Sequence, residues 1–278
     1  MRISLIQPLV TDDFKTNLQT IQSMLEQAIE NKPDLIALCE LFNTPFINDR
    51  ILDHADEWSA WMDLFSSFSR HHHVWIIAGT LPRKSGSSLY NSCAIFNDQG
   101  ELIEIADKTH LLEVHTPKHI YRESDVFCAG DHLCKVETPW GKLAILICFD
   151  LRFPEAARSL CEDCFMLVAP CGFNAAVGAK HWEPLIRTRA MENEVFVCAI
   201  NPAAHDYGSY SSFGHTLAVS PDGVILGQLG GEPGILMMEI DEKQVEQIRS
   251  RSPFWSLRRP ELCSPSLTLC NPDDKHTK

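Results

Sequence analysis

Three apolar segments of the chain end on residues that can do chemistry together. Lys142-Leu143-Ala144-Ile145-Leu146-Ile147 runs into Cys148, and Phe149-Asp150-Leu151-Arg152-Phe153 then turns into a helix opened by Pro154. Leu35-Ile36-Ala37-Leu38-Cys39 runs into Glu40, and Leu102-Ile103-Glu104-Ile105-Ala106-Asp107 into Lys108. A cysteine closing a buried strand is ordinarily packing, and a lone Glu or Lys at a strand end ordinarily meets solvent. As a set they are complementary. A free thiol, with a pKa of about 8.5, is mostly protonated at neutral pH and needs a base and a positive field to become a nucleophile. Glu40 can supply the base and Lys108 the field, while the sharp turn after Cys148 leaves a backbone N–H for an oxyanion. A Cys-His pair with His110, His181 or His215 as base is the rival arrangement, and spacing along the chain does not exclude it.

Two other clusters carry less. Cys161-Glu162-Asp163-Cys164 closes a helix instead of opening one, and zinc would need a second ligand pair at matching spacing. Adjacent side chains such as His71, His72 and His73 splay to different faces and do not easily share one ion; they read as a solvated helix end. No metal and no cofactor is assigned.

Short apolar runs alternate with helical stretches. Strands are expected over 2–7, 34–39, 74–80, 92–97, 102–107, 142–148, 165–169, 195–200, 214–220 and 235–240, and helices over 13–31, 58–71, 154–161, 180–193 and 241–249. Asp98-Gln99-Gly100 and Pro221-Asp222-Gly223 are tight-turn signals, so the strands beside them should pair antiparallel. The mixture of βα units and hairpins predicts an α/β fold with two mixed sheets packed together under outer helices. The 278 residues are read as one domain over 1–262, followed by an extended or frayed tail, 263–278, rich in Pro, Ser and Asp, which could instead wrap a partner subunit.

The formal charge of −13 argues against nucleic-acid binding, which needs clustered Lys and Arg. The N-terminus lacks signal-peptide organisation, and no apolar run approaches the roughly 18 to 20 residues needed to span a bilayer, so a cytoplasmic protein without membrane association is expected. Eleven cysteines, an odd number, point to reduced thiols.

Leu38-Cys39-Glu40-Leu41-Phe42, Asp107-Lys108-Thr109-His110-Leu111 and Ile147-Cys148-Phe149-Asp150-Leu151-Arg152-Phe153-Pro154-Glu155 resemble the nitrilase, or carbon–nitrogen hydrolase, superfamily, with its Glu-Lys-Cys triad in this order. The likeness covers residues 1 to about 262. Cys148-Phe149-Asp150, where true nitrilases typically read Cys-Trp-Glu, is similar to the Nit amidase branch. So are Gly172-Phe173-Asn174 and Arg187-Thr188-Arg189-Ala190-Met191-Glu192-Asn193. The resemblance implies a four-layer αββα sandwich that pairs into a homodimer or larger homo-oligomer. It implies an amidohydrolase acting through a thioester, most like an ω-amidase for 2-oxoglutaramate. Deaminated-glutathione amidase is the runner-up; N-carbamoyl hydrolysis and a non-catalytic scaffold are more remote. It further implies a second glutamate, for which Glu123 fits better than Glu113. Phe149, where a tyrosine often follows the cysteine, removes a hydroxyl near the site but keeps the backbone donor. For a substrate carboxylate, Arg152, Lys180, Arg187, Arg189 and Asn174 are available, and Phe149 and Asn174 are the expected substrate contacts.

Overall fold

A computed structural model describes residues 1–115 and 120–262; the tail expected over 263–278 lies outside the described residues. The elements run β1 (Arg2–Gln7), α1 (Phe14–Ile29), β2 (Leu35–Leu38), α2 (Asn48–Asp53), α3 (Trp58–His72), β3 (Trp75–Ile77), β4 (Leu81–Ser85), β5 (Ser88–Phe96) and β6 (Leu102–Asp107). They continue with β7 (Glu113–His115), β8 (Ile120–Arg122), β9 (Cys134–Thr138), β10 (Gly141–Ile145), α4 (Pro154–Leu160), β11 (Cys164–Pro170) and α5 (Ala175–Asn193). The last are β12 (Phe196–Ile200), β13 (Leu217–Val219), β14 (Ile225–Gln228), β15 (Gly234–Glu239), α6 (Lys243–Arg251) and α7 (Phe254–Leu257).

Two mixed sheets result. The first is ordered β15-β1-β2-β3-β5-β4, with β6 also paired to β5; the second is ordered β14-β13-β12-β11-β10-β9; β7 and β8 form a separate hairpin. Each large sheet has a parallel centre, β1-β2-β3 in one and β10-β11-β12 in the other, with antiparallel partners outside. Parallel strands are covered on both faces and so read as unbroken apolar runs, as in Cys164–Pro170, where every residue is buried. The two turn signals hold: β5 and β6 pair antiparallel across Asp98-Gln99-Gly100, and β13 and β14 across Pro221-Asp222-Gly223.

The inner faces of the sheets share one core, in which Leu5 and Ala37 join Leu167 and Val197. Helices cover the outer faces. α1 buries Ile21, Met24, Leu25 and Ala28, the i, i+3, i+4, i+7 stripe of an amphipathic helix, and Asp13 caps it by accepting from Thr16 N at 2.7 Å. α3 covers β3 and β5, and α5 covers β12 and β13, completing an α-β-β-α stack.

The differences from expectation have local causes. The strand expected to reach Cys148 stops at Ile145 because Cys148 takes φ +45° and opens a short 3₁₀ turn, Cys148–Arg152. Helix α5 begins at Ala175 instead of 180 because the Asn174 side chain accepts from Ala176 N at 2.9 Å, capping a turn that contains Gly178. β4, with Pro82 and two basic residues, is an edge strand, where proline is tolerated.

Candidate active site

The two sheets bring their strand ends together. Glu40 follows β2 by two residues, and its N–H donates to the Cys171 carbonyl, just past β11, at 3.2 Å. That bond ties an end of the first sheet to one of the second. Lys108 follows β6 directly; its N–H donates to Asn91 O at 2.9 Å and its carbonyl accepts from Gly130 N at 2.8 Å. Gly130 is required there, since an added Cβ would stand 2.7 Å from Asp107 O. Asp150 joins the lysine loop to the cysteine turn: Oδ1 accepts from Thr109 Oγ1 and from His110 N, both at 2.8 Å, while Oδ2 accepts from Ile147 N at 3.0 Å.

Side chains from two of these ends, Glu40 and Lys108, meet Glu123 and Asn91 in a buried cluster. Lys108 Nζ donates to Glu40 Oε1 at 2.7 Å and to Glu123 Oε1 and Oε2 at 3.0 and 2.8 Å. Asn91 Nδ2 bridges the same carboxylates, at 2.9 Å from Glu40 Oε1 and 3.1 Å from Glu123 Oε1. Glu123 Oε2 also accepts from Leu112 N at 2.7 Å. Glu40, Lys108 and Glu123 are each at most 1% exposed. Charges held so far from water persist only when paired and hydrogen-bonded, and among the charged atoms of Glu40, Lys108 and Glu123 all but one meet that condition. Glu40 Oε2 is buried without a hydrogen-bond partner among the described residues.

Burial, followed by the Glu123 charge, pushes the Glu40 carboxyl above its ordinary range even though Lys108 opposes the rise. Burial works against the Lys108 charge as well, but Glu123 and Glu40 outweigh it and hold the ammonium well above the usual lysine range. Hydrogen bonding with the Cys171 thiol, then burial, then the Glu40 charge raise the Cys148 thiol well above its ordinary value. Cys148 therefore rests as a thiol beside a carboxylate, with Lys108 favouring the thiolate.

The remaining expected residues are placed as follows. The Phe149 N–H opens the 3₁₀ turn and has no acceptor among the described residues, while its ring packs edge-on against Phe153 at 5.5 Å. The Asn174 carboxamide oxygen is committed to capping α5, which leaves only its amide donor for any other contact. Arg187 pairs with Glu183 and Arg189 with Glu192; Lys180 is exposed on α5. Arg152 meets no carboxylate among the described residues: its guanidinium bonds His181 Nδ1 at 2.9 Å and lies over the Phe173 ring at 5.1 Å. Burial lowers its pKa, and the neighbouring Cys148 and Cys171 sulfurs act in the other direction. His110 is held by Asp150 and stacked on Phe153. Glu113 pairs at the surface with Arg122 and His115. No group of three His, Cys, Asp or Glu side chains is arranged around a metal position among the described residues, and no helix there is long and apolar enough to cross a membrane.

A narrow cleft opens onto Glu40 between Phe46, Gly172, Tyr207 and Tyr210; the roomier surface depression between α1 and β15 touches none of the cluster. Gly172 keeps the cleft open, since a Cβ there would stand 3.1 Å from Glu40 Oε2 and 3.3 Å from the Phe46 ring. Phe46 lies 5.3 Å from Lys108 Nζ and packs on Tyr121 and Tyr210. The Tyr121 hydroxyl is buried and without a partner among the described residues. Asn91, Tyr121 and Cys171 are given no role by the sequence, and Gly172 enters it only within the Gly172-Phe173-Asn174 motif. Only Gly172 and Asn91 carried any signal, as a glycine just past a buried strand and an amide within an apolar one.

Comparison with known proteins places this architecture. The ω-amidase NIT2 of Xenopus tropicalis is 32% identical over 266 residues, covering 95% of this chain and 96% of that one. The ω-amidase NIT3 of Saccharomyces cerevisiae is 32% identical over 263 residues, covering 91% and 90%. The crystal structure of S. cerevisiae Nit3, a member of branch 10 of the nitrilase superfamily, superimposes with a TM-score of 0.85 at 30% identity over 93% of this chain and 96% of that one. The sequence matches the carbon-nitrogen hydrolase family over residues 2–250. The chain belongs to the carbon-nitrogen hydrolase family, within the nitrilase superfamily.

Proposed function

We propose that this protein is an ω-amidase that releases ammonia from 2-oxoglutaramate or a related small ω-amide through a thioester on Cys148. The observation that carries the mechanism is the asymmetry of Glu40. Lys108 and Asn91 fix one carboxylate oxygen, the other is buried without a hydrogen-bond partner among the described residues, and Glu40 lines the cleft and acts on the Cys148 thiol.

Glu40 takes the Cys148 proton as sulfur attacks the carboxamide carbon, so no free thiolate has to persist in a site that disfavours one. The oxyanion is held by Lys108 and the Phe149 N–H, each such donor being worth on the order of 100- to 1000-fold in rate. Glu40 returns the proton to the departing nitrogen, ammonia leaves, and the same carboxylate draws a proton from the water that cleaves the thioester. Glu123 and Asn91 hold Lys108 and Glu40 in register throughout. The raised pKa of Glu40 suits a group that must both accept and return a proton.

The ω-amide reading rests on the similar proteins named above and on Arg152. A half-buried guanidinium with no acidic partner among the described residues, near Cys148, suits the carboxylate at the far end of such a substrate. Ammonia release is to be compared for 2-oxoglutaramate, deaminated glutathione and an N-carbamoyl amino acid, with Cys148→Ala, Glu40→Gln and Lys108→Met beside the wild type. Preference for 2-oxoglutaramate, loss of turnover in all three variants and a substrate adduct on Cys148 are expected. A folded Cys148→Ala protein with wild-type turnover would end the proposal. Arg152→Met should raise KM for 2-oxoglutaramate by about 10- to 100-fold, the range of one charge-assisted hydrogen bond, and leave an uncharged amide less affected.

A further inference from the structure

The strands that deliver Cys148 also deliver a second thiol. β10 and β11 are adjacent and parallel, with Ile145 opposite Val168, and the register continues in the bond from Leu146 N to Val168 O at 3.2 Å. Three residues beyond that pair the two chains reach Cys148 and Cys171. Cys171 is held in line by its own N–H, which donates to Ile200 O at 2.7 Å, and by its carbonyl, which accepts from Glu40 N. Neighbouring strands lie about 5 Å apart, inside the Cα range a disulfide bridges, and the Cys148 turn and Cys171 follow β10 and β11 at the same level of that ladder. Both residues are free, buried cysteines, and the mechanism above gives Cys171 nothing to do.

From this geometry we propose that Cys171 is a resolving thiol: when hydrogen peroxide oxidises Cys148, Cys171 captures it as a Cys148–Cys171 disulfide that a dithiol reverses. The chemistry balances in two steps. Cys148 sulfur, its proton passing to Glu40, attacks one peroxide oxygen. The O–O bond breaks, and water and Cys148 sulfenic acid result. The Cys171 sulfur then attacks the sulfenic sulfur, the S–O bond breaks, and a second water leaves with the Cys171 proton. Two electrons pass from the pair of thiols to one peroxide. The reduced state returns by two thiol–disulfide exchanges with an external dithiol. Without a neighbouring thiol the sulfenic acid is open to further oxidation to sulfinic acid, which a dithiol does not reverse. Cys161 and Cys164 do not serve as well. They flank the far end of β11, where Cys164 pairs with Lys142 at the start of β10.

Loss of amidase activity on pairing rests on the reading of Cys148 as nucleophile; the pairing itself does not, so the two are read separately. Peroxide-treated wild type, alkylated without reduction and cut with trypsin, should give peptide 143–152 joined to peptide 159–180 at two hydrogens below their summed mass, with fragment ions placing the link on Cys171. Amidase activity should fall on the order of tenfold or more and return with dithiothreitol. Cys171→Ala and Cys171→Ser, each scored against its own untreated activity, should lose activity that dithiothreitol does not restore and should accumulate sulfinic acid on Cys148. The wild-type peptide map decides the matter even if neither variant folds. Cys148 sulfinic acid with no linked peptide in the wild type would overturn the proposal, as would equal recovery in wild type and variants. A linked peptide with undiminished turnover would uphold the pairing and refute the nucleophile assignment.

Discussion

Glu123→Gln is nearly isosteric, yet it should be one of the more damaging changes available in the cluster. Every hydrogen bond onto the Glu123 carboxylate comes from a donor: Lys108 and Asn91 on Oε1, Lys108 and Leu112 N on Oε2. A glutamine offers one acceptor oxygen and one NH₂ group, so either orientation sets two N–H donors against two others in a place without water. At least one charge-assisted bond is lost, at a cost of about 1.5–3 kcal/mol. For a chain of this size that lowers Tm by about 3–12 °C. If the same interaction holds Lys108 where it must meet the oxyanion, kcat falls by about 10- to 100-fold, one decade for each 1.36 kcal/mol.

The pH profile separates a positioning role from a merely structural one. Glu123 raises the Glu40 carboxyl pKa, so its neutralisation lowers that pKa. Glu40 must be ionised to act as base, and kcat/KM therefore declines on the acid side through the Glu40 pKa. The sign follows: the acid limb of Glu123→Gln should lie at lower pH than that of the wild type, even as the plateau drops. Steady-state ammonia release from 2-oxoglutaramate across the acid range, with Tm recorded on the same samples, gives both quantities. A variant with wild-type kcat and an unmoved acid limb would refute the coupling argued here; a lower Tm alone would reduce Glu123 to a structural ion pair.

Two smaller changes probe the cleft. Tyr121→Phe removes a buried hydroxyl that bonds nothing among the described residues, so stability should hold or rise slightly, while KM for the amide increases about 2- to 10-fold if substrate is the missing partner; an unchanged KM removes Tyr121 from the binding site. Gly172→Ala sets a methyl group 3.1 Å from Glu40 Oε2 and should cut kcat by about tenfold through displacement of the base. Gly178→Ala, whose Cβ would clash with Phe213 at 2.4 Å, is its contrast: an overpacking cost of about 1–3 kcal/mol of stability, read as a lower Tm with kcat and KM unchanged.

What could be read from the sequence follows from how locally each feature is determined. Glu40, Lys108 and Cys148 were legible because each ends an apolar run and carries a motif. Glu123 follows a three-residue strand of an exposed hairpin, so only the family pattern marked it. Asn91 has no motif: it sits on β5, and its role appears only when strand pairing sets it against two carboxylates far along the chain. Cys171 reads like the other buried thiols until β10 and β11 come into register. The alternating pattern of β9 was readable and passed over, whereas the end of β10 was not, because the positive φ at Cys148 belongs to the turn that follows it.

The buried cluster also bears on why the fold is needed at all. Replacing a buried ion group with apolar residues of similar volume is often neutral or stabilising by about 1–4 kcal/mol, so stability is a poor reason for a chain to keep Glu40, Lys108 and Glu123 out of water. Chemistry is a better one, since a field that acts on a thiol loses strength once water enters. The arrangement constrains folding in return. Glu40 comes from the first sheet, Cys148 and Cys171 from the second, and the Glu40 N–H to Cys171 O bond joins the two. Neither sheet alone holds the site, and a loose interface would admit water to charges compensated by one another, by Asn91 and by the Leu112 N–H. The shared apolar core between the sheets is thus what holds the carboxylate, the ammonium and the thiol together away from water, and damage to it should reach turnover before it reaches global unfolding.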